Sequence, residues 1–124
     1  MRTFDSGATR DNDISKIDYD GFLSPQVLKR YGQYMLTHQK QADGQMRASD
    51  NWKKGIPRDA YMKSMFRHFM EVWDEHAEAA RFVAAGDTVE MQRDDLTLFQ
   101  RREEALCALL FNVMGYLHEL EEGR

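Results

Sequence analysis

Four polar side chains near the middle of the chain share one side of a helix. At 100° per residue, Ser64, His68, Glu71 and Glu75 fall within a ~60° sector. A histidine and two carboxylates on one stripe can supply ligands to Mg2+ or Mn2+, which prefer oxygen donors. The plain alternative is a solvated face on which Glu71 and Glu75 are an exposed i, i+4 pair. Asp74-Glu75-His76-Ala77-Glu78 forms a second acidic group, which in isolation reads as surface.

Further along, Glu104 opens an apolar stretch and Asn112 sits in the middle of it. A buried Asn is costly unless its amide is hydrogen-bonded, so Asn112 either ties helices together or faces a polar site. Glu104 lies one turn from Cys107 and two from Phe111. It can therefore point into a bundle while Glu103 points out, and inward ligands on adjacent helices are how bundles build metal sites. The third candidate is the loop Arg47-Ala48-Ser49-Asp50-Asn51-Trp52-Lys53-Lys54-Gly55-Ile56-Pro57. Its cations Arg47, Lys53 and Lys54, with a helix start just beyond, suit phosphates. Trp52 either stacks on a base or plugs a core, and Arg67 adds a possible phosphate contact. His76 reads as a core residue and Cys107 as a small apolar one; His38 and His118 carry no special signal. Gly-rich phosphate loops, GxSxG, CxxC, HExxH and adjacent His-Asp pairs are all absent.

Three helices would position these groups. Ser24 caps the first, which is expected from Pro25 to about Gln41, with Leu28, Tyr31, Met35 and His38 on one stripe. The second is expected from Arg58 to Ala85, with Met62, Met65, Phe66, Phe69, Trp73, His76 and Ala80 as its apolar, core-facing stripe. Both prolines stand where a helix begins. The third is expected from about Asp94 to Glu122. It is apolar nearly all round from Ala105 to Leu117, as a helix buried on several sides would be. Residues 1–23 read as an extended, polar arm. The expectation is an all-α, single-domain bundle over residues 1–124, its core completed by a homo-oligomer, a dimer or tetramer.

Composition narrows the function classes. A net charge of -4 and a pI near 5.5 argue against a nucleic-acid polymer as partner. No window is apolar enough to span a membrane, and no signal-type run opens the chain. The single cysteine fits a reducing, cytoplasmic setting.

Several segments in this order carry a resemblance: Ser6-Gly7-Ala8-Thr9-Arg10, Asp43-Gly44 with Arg47, Asp50-Asn51-Trp52-Lys53-Lys54-Gly55-Ile56-Pro57, Tyr61-Met62-Lys63-Ser64 with Arg67-His68, Trp73 with His76, and Glu103-Glu104-Ala105-Leu106-Cys107 leading to Asn112. Together they look like the phage-encoded dATP/dGTP diphosphohydrolases, a branch of the MazG-like all-α nucleotide pyrophosphohydrolases. The resemblance implies a four-helix core, dimers or dimers of dimers, and Mg2+ or Mn2+ held by carboxylates on two helices. It implies conversion of a dNTP and water to a dNMP and pyrophosphate, in the host cytoplasm if phage-encoded. Carried onto this chain, Glu71, Glu75 and Glu104 are the metal ligands, with Asn112 nearby, and His68 orients water or phosphate. Arg47, Lys53, Lys54 and Arg67 take the phosphates, and Asn51 and Trp52 the base or sugar. The chain departs from the broad pattern of Glu-Glu-x-x-Glu followed by Glu-x-x-Asp: Cys107 stands where the second half has a carboxylate. A neutral thiol is a poor ligand for hard Mg2+. The alternative expectation is a MazG-like scaffold that binds nucleotide or protein without catalysis.

Overall fold

Thr97 decides where the longest apolar segment becomes helical. Its hydroxyl accepts from the Gln100 amide at 3.1 Å and its own amide donates to the Gln100 side chain at 3.0 Å, a closed capping box. In this computed structural model the structure describes residues 1–12, 15–84, 92–93 and 96–124, with backbone alone at 92–93. The elements are β1 (Arg2–Thr3), β2 (Thr9–Arg10), α1 (Tyr19–Phe22), α2 (Pro25–Thr37), a 3-10 turn (Asn51–Lys54), α3 (Arg58–Ala84), β3 (Gln92–Arg93), β4 (Leu96–Thr97) and α4 (Leu98–Glu121). The described chain is mostly helical, as expected. Among its described residues, no helix is long and apolar enough to cross a membrane.

Backbone contacts divide the chain into two units, Met1–Gly32 and Gln33–Arg124, so α2 runs across the division. In the first unit the expected extended arm is partly ordered. β1 and β2 pair antiparallel, Arg2 opposite Arg10, about a turn in which Gly7 has φ 89°. Asp18 then caps α1 by accepting from the Gly21 amide at 3.2 Å.

Ser24 caps α2 as expected, accepting from Val27 at 3.3 Å. The helix stops at Thr37 rather than continuing to Gln41. Asp43 accepts from the Gln45 amide at 2.9 Å and Gly44 takes φ 85°, so residues 39–47 reverse direction and Lys40 pairs with Met46. α3 begins at Arg58 behind Pro57, as expected, and is described to Ala84; the expected last residue, Ala85, lies outside the described residues. α4 starts at Leu98, not near Asp94, since β4, which pairs with β3, occupies Leu96–Thr97. Asp94 itself lies outside the described residues.

α3 and α4 pack on each other to form the main body of the second unit. The α4 face turned to α3 is a row of small and polar residues: Ala105, Ala108, Asn112 and Gly115, with Leu98 and Arg101 before them and Glu119 after, all buried. Small residues let two backbones approach closely. The Gly115 position has no room for a Cβ, because the Tyr61 ring, 1% exposed, occupies it. On α3 the inward side is Tyr61, Met65, His68, Val72, Glu75 and Ala79, each buried or half-buried. This corrects the sequence reading. Met62, Phe66, Phe69 and Trp73, expected to be core, are 41%, 68%, 53% and 59% exposed. Much of the polar sector expected on the outside turns toward α4 instead.

Candidate functional site

The cleft forms where α3 and α4 lie beside the end of α2. α3 contributes His68, Glu71 and Glu75; α4 contributes Arg101, Glu104, Ala105 and Ala108; Tyr34 comes from the last turn of α2, His38 from just beyond its end, and Leu96 from β4. It encloses about 300 Å³. His68, Glu71, Glu75 and Glu104, the four residues expected to act in catalysis, therefore line one cavity although they come from two helices.

Within the cleft the charges are organised in pairs. His68 Nδ1 donates to Glu71 Oε2 at 2.9 Å, one turn apart on α3. This fixes the ring and leaves Nε2 as its other nitrogen. Arg101 lies 3.5 Å from Glu75 Oε2 and 3.5 Å from Glu78 Oε2. These three side chains are only 7%, 14% and 14% exposed, so they make a buried acid–base–acid clamp between α4 and α3. The Tyr34 phenol is pushed above its usual range, first by burial and then by the negative charge of Glu104 and, more weakly, Glu71. The Tyr34 and His38 rings sit 4.1 Å apart at 30°, a tilted aromatic pair at the cleft edge.

The donor chemistry suits a hard ion: three carboxylates, Glu71, Glu75 and Glu104, border one cavity. As they stand, however, Glu71 holds His68 and Glu75 holds Arg101. Among the described residues no three His, Cys, Asp or Glu side chains already converge as a metal cage.

Asn112, expected beside the metal, lies elsewhere. Asn112 is 5% exposed in the α3–α4 packing row, and its amide donates to the Ala108 carbonyl of its own helix at 2.8 Å. It does not line the cleft, and that hydrogen bond stays within α4. Cys107 is a buried thiol. The loop carrying the expected nucleotide contacts packs farther along α4. Trp52 lies edge-on to His118, 4.8 Å between centroids, and to Phe111 at 6.2 Å. Those partners stand two and four turns beyond Glu104, or ~10 and ~21 Å at 1.5 Å per residue.

The loop is closed there by Glu119, 2% exposed, which accepts from the Ile56 amide at 3.1 Å and from Arg124 Nε at 2.7 Å. Arg124 Nη2 also donates to the Lys53 carbonyl at 3.2 Å. Asn51 is half-buried in the same turn, and Lys53 Nζ stands 5.7 Å over the Trp52 ring. Lys54 and Arg47 are exposed, and Arg67 donates to Ser64 Oγ at 3.0 Å. None of these six lines the cleft.

Sequence reasoning missed Arg101, Tyr34 and His38. Arg101 sits in a run, Arg101-Arg102-Glu103-Glu104, that reads as solvated charge. The available signal was its spacing of four and seven from Ala105 and Ala108, which puts it on the small-residue row. No family model matches the chain, and neither does any curated protein or solved structure.

Proposed function

We propose that the chain is a metal-dependent nucleoside triphosphate pyrophosphohydrolase, converting a purine dNTP and water to a dNMP and pyrophosphate. The observation supporting this reading is the meeting of His68, Glu71, Glu75 and Glu104 in one cleft with Arg101. Glu71, Glu75 and Glu104 would hold the Mg2+ or Mn2+ ion. When bound, such an ion lowers the pKa of water and neutralises charge on the phosphates. His68, oriented by Glu71, presents Nε2 as the base that takes a proton from the attacking water. The water oxygen bonds to the α-phosphorus as the bond to the bridging oxygen breaks, and pyrophosphate leaves. Arg101, at the cleft wall, would keep Glu75 charged and in place beside the ion. Tyr34 and His38 offer flat surface to a base or sugar at the rim.

A second reading has its own observation. The Arg101 guanidinium already neutralises Glu75 and Glu78, as would suit a scaffold that binds nucleotide without hydrolysing it. One experiment separates the two. The protein is incubated with each common dNTP and NTP plus Mg2+ or Mn2+, and products are resolved by chromatography. The enzyme reading expects dNMP and pyrophosphate, with Glu104→Gln lowering turnover by at least ~100-fold while changing the melting temperature little. Survival of every nucleotide with both metals sinks it. A rise in melting temperature on adding nucleotide to an inactive chain would favour the scaffold.

A further inference from the structure

Two of the four histidines border the cleft, from different segments of the chain, and each is held by the same ring nitrogen. His68 Nδ1 donates to the Glu71 carboxylate at 2.9 Å. His38, just beyond α2, donates from Nδ1 to the Tyr34 backbone carbonyl, also at 2.9 Å. An ionised carboxylate and a carbonyl have no hydrogen to give. In both neutral rings the proton is therefore on Nδ1 and the lone pair on Nε2. The two rings are also linked along the cleft wall. His38 packs on Tyr34, with 4.1 Å between centroids, and the Tyr34 phenol feels the charge of Glu71, which holds His68.

A free Nε2 opposite an Nδ1–H anchored to a carboxylate or backbone carbonyl is the arrangement of metal-ligating histidines. The outer hydrogen bond fixes the ring and makes the free nitrogen a stronger donor. Imidazole nitrogen suits Zn2+, Co2+ and Ni2+, whereas Mg2+ prefers carboxylate and water oxygen. The cleft thus carries two kinds of donor, the oxygens of Glu71, Glu75 and Glu104 and a pair of prepared imidazoles. Among the described residues no third His, Cys, Asp or Glu is gathered with the two rings, so water would fill the remaining positions. Solvent reaches both rings: His38 is exposed, and the His68 side chain is 27% exposed.

We propose that His38 and His68 form a site for a borderline divalent cation, Zn2+ above all, distinct in chemistry from the carboxylate oxygens expected to hold Mg2+ or Mn2+. An ion there takes up the Nε2 lone pair with which His68 would accept a proton from water, so zinc acts as an inhibitor. That consequence rests on the hydrolase reading; the binding does not.

Titration of the metal-free chain with Zn2+, without nucleotide and against a chromophoric zinc indicator, tests the site. The expected result is one Zn2+ per chain. His38→Gln and His68→Gln should each weaken binding by at least ~30-fold, and His118→Gln should change it little. Circular dichroism of the variants should match the parent, since both rings reach solvent. Co2+ in place of Zn2+ should give the visible spectrum of nitrogen and oxygen ligands. A near-ultraviolet thiolate band would instead put the ion on Cys107 and overturn the proposal. Absence of Zn2+ binding, or binding that survives both substitutions, overturns it as well. With Mg2+ and a nucleotide that is hydrolysed, added Zn2+ should suppress turnover, and His38→Gln should blunt that suppression relative to its own rate. Zinc held by both histidines in a chain that hydrolyses no nucleotide keeps the site and rejects the hydrolase. Hydrolysis without zinc binding does the reverse.

Discussion

Arg101 shows how much one side chain can carry. Its guanidinium stands between Glu75 and Glu78, each only 14% exposed, and charges so placed are costly once a partner goes. Removing one member of a buried ionic set costs ~3–5 kcal/mol, while replacing the whole set by neutral groups is often close to neutral. Arg101→Ala should therefore lower stability by about 3 kcal/mol in urea unfolding. Arg101→Met combined with Glu75→Gln and Glu78→Gln should recover most of that loss. Equal stability of the single and triple variants would show that the clamp does not hold the helices. The composition of this cluster was half legible beforehand. Helical spacing grouped His68, Glu71 and Glu75, and the start of an apolar run singled out Glu104. Arg101 escaped because charge type alone does not tell a solvated arginine from one held between two acids.

Between elements, the closeness of α3 and α4 depends on Gly115 accommodating the Tyr61 ring. Gly115→Ala would drive a methyl into a side chain that is 1% exposed. Overpacking of that kind typically costs ~1–3 kcal/mol, and here it opposes any intrinsic helix-propensity gain from alanine. A thermal melt of Gly115→Ala should fall by several degrees; an unchanged or higher midpoint would mean the helices can separate freely there. Helix positions were readable from sequence because Pro25, Pro57 and Ser24 mark starts by backbone chemistry. The α2 end was not, since a period of 3.6 in the side chains continues past Thr37 while the Asp43–Gly44 turn pulls the backbone away. The inward face of α3 was misread for a related reason. Periodicity reports where apolar residues lie, and on α3 they lie mainly on the side away from α4.

For the second unit as a whole, acid sensitivity should come from Glu119. The Arg124 guanidinium, and then the Ile56 amide, hold its carboxyl below the usual carboxylate range. A carboxyl whose folded value is depressed stabilises the protein above the unfolded value, about 4.5. That contribution is lost as pH falls from there through the lower folded value. Melting temperature should thus drop below pH ~4.5, and Glu119→Gln should flatten that part of the profile. An unaltered acid limb in the variant would move the sensitivity to other carboxylates. The same residue anchors the Trp52 loop, which is why a segment with the composition of a phosphate grip is folded against a helix end.

The placement of the two tryptophans gives the molecule a pair of optical reporters. Trp52, half-buried and edge-on to His118 and Phe111, sits in the loop that Glu119 secures. Trp73 lies on the uncovered face of α3, 59% exposed. Emission from the first follows loosening of the loop, and emission from the second follows coverage of that face. With Trp52→Phe and Trp73→Phe each removing one colour centre, a single spectrum separates events at the two places without any attached dye.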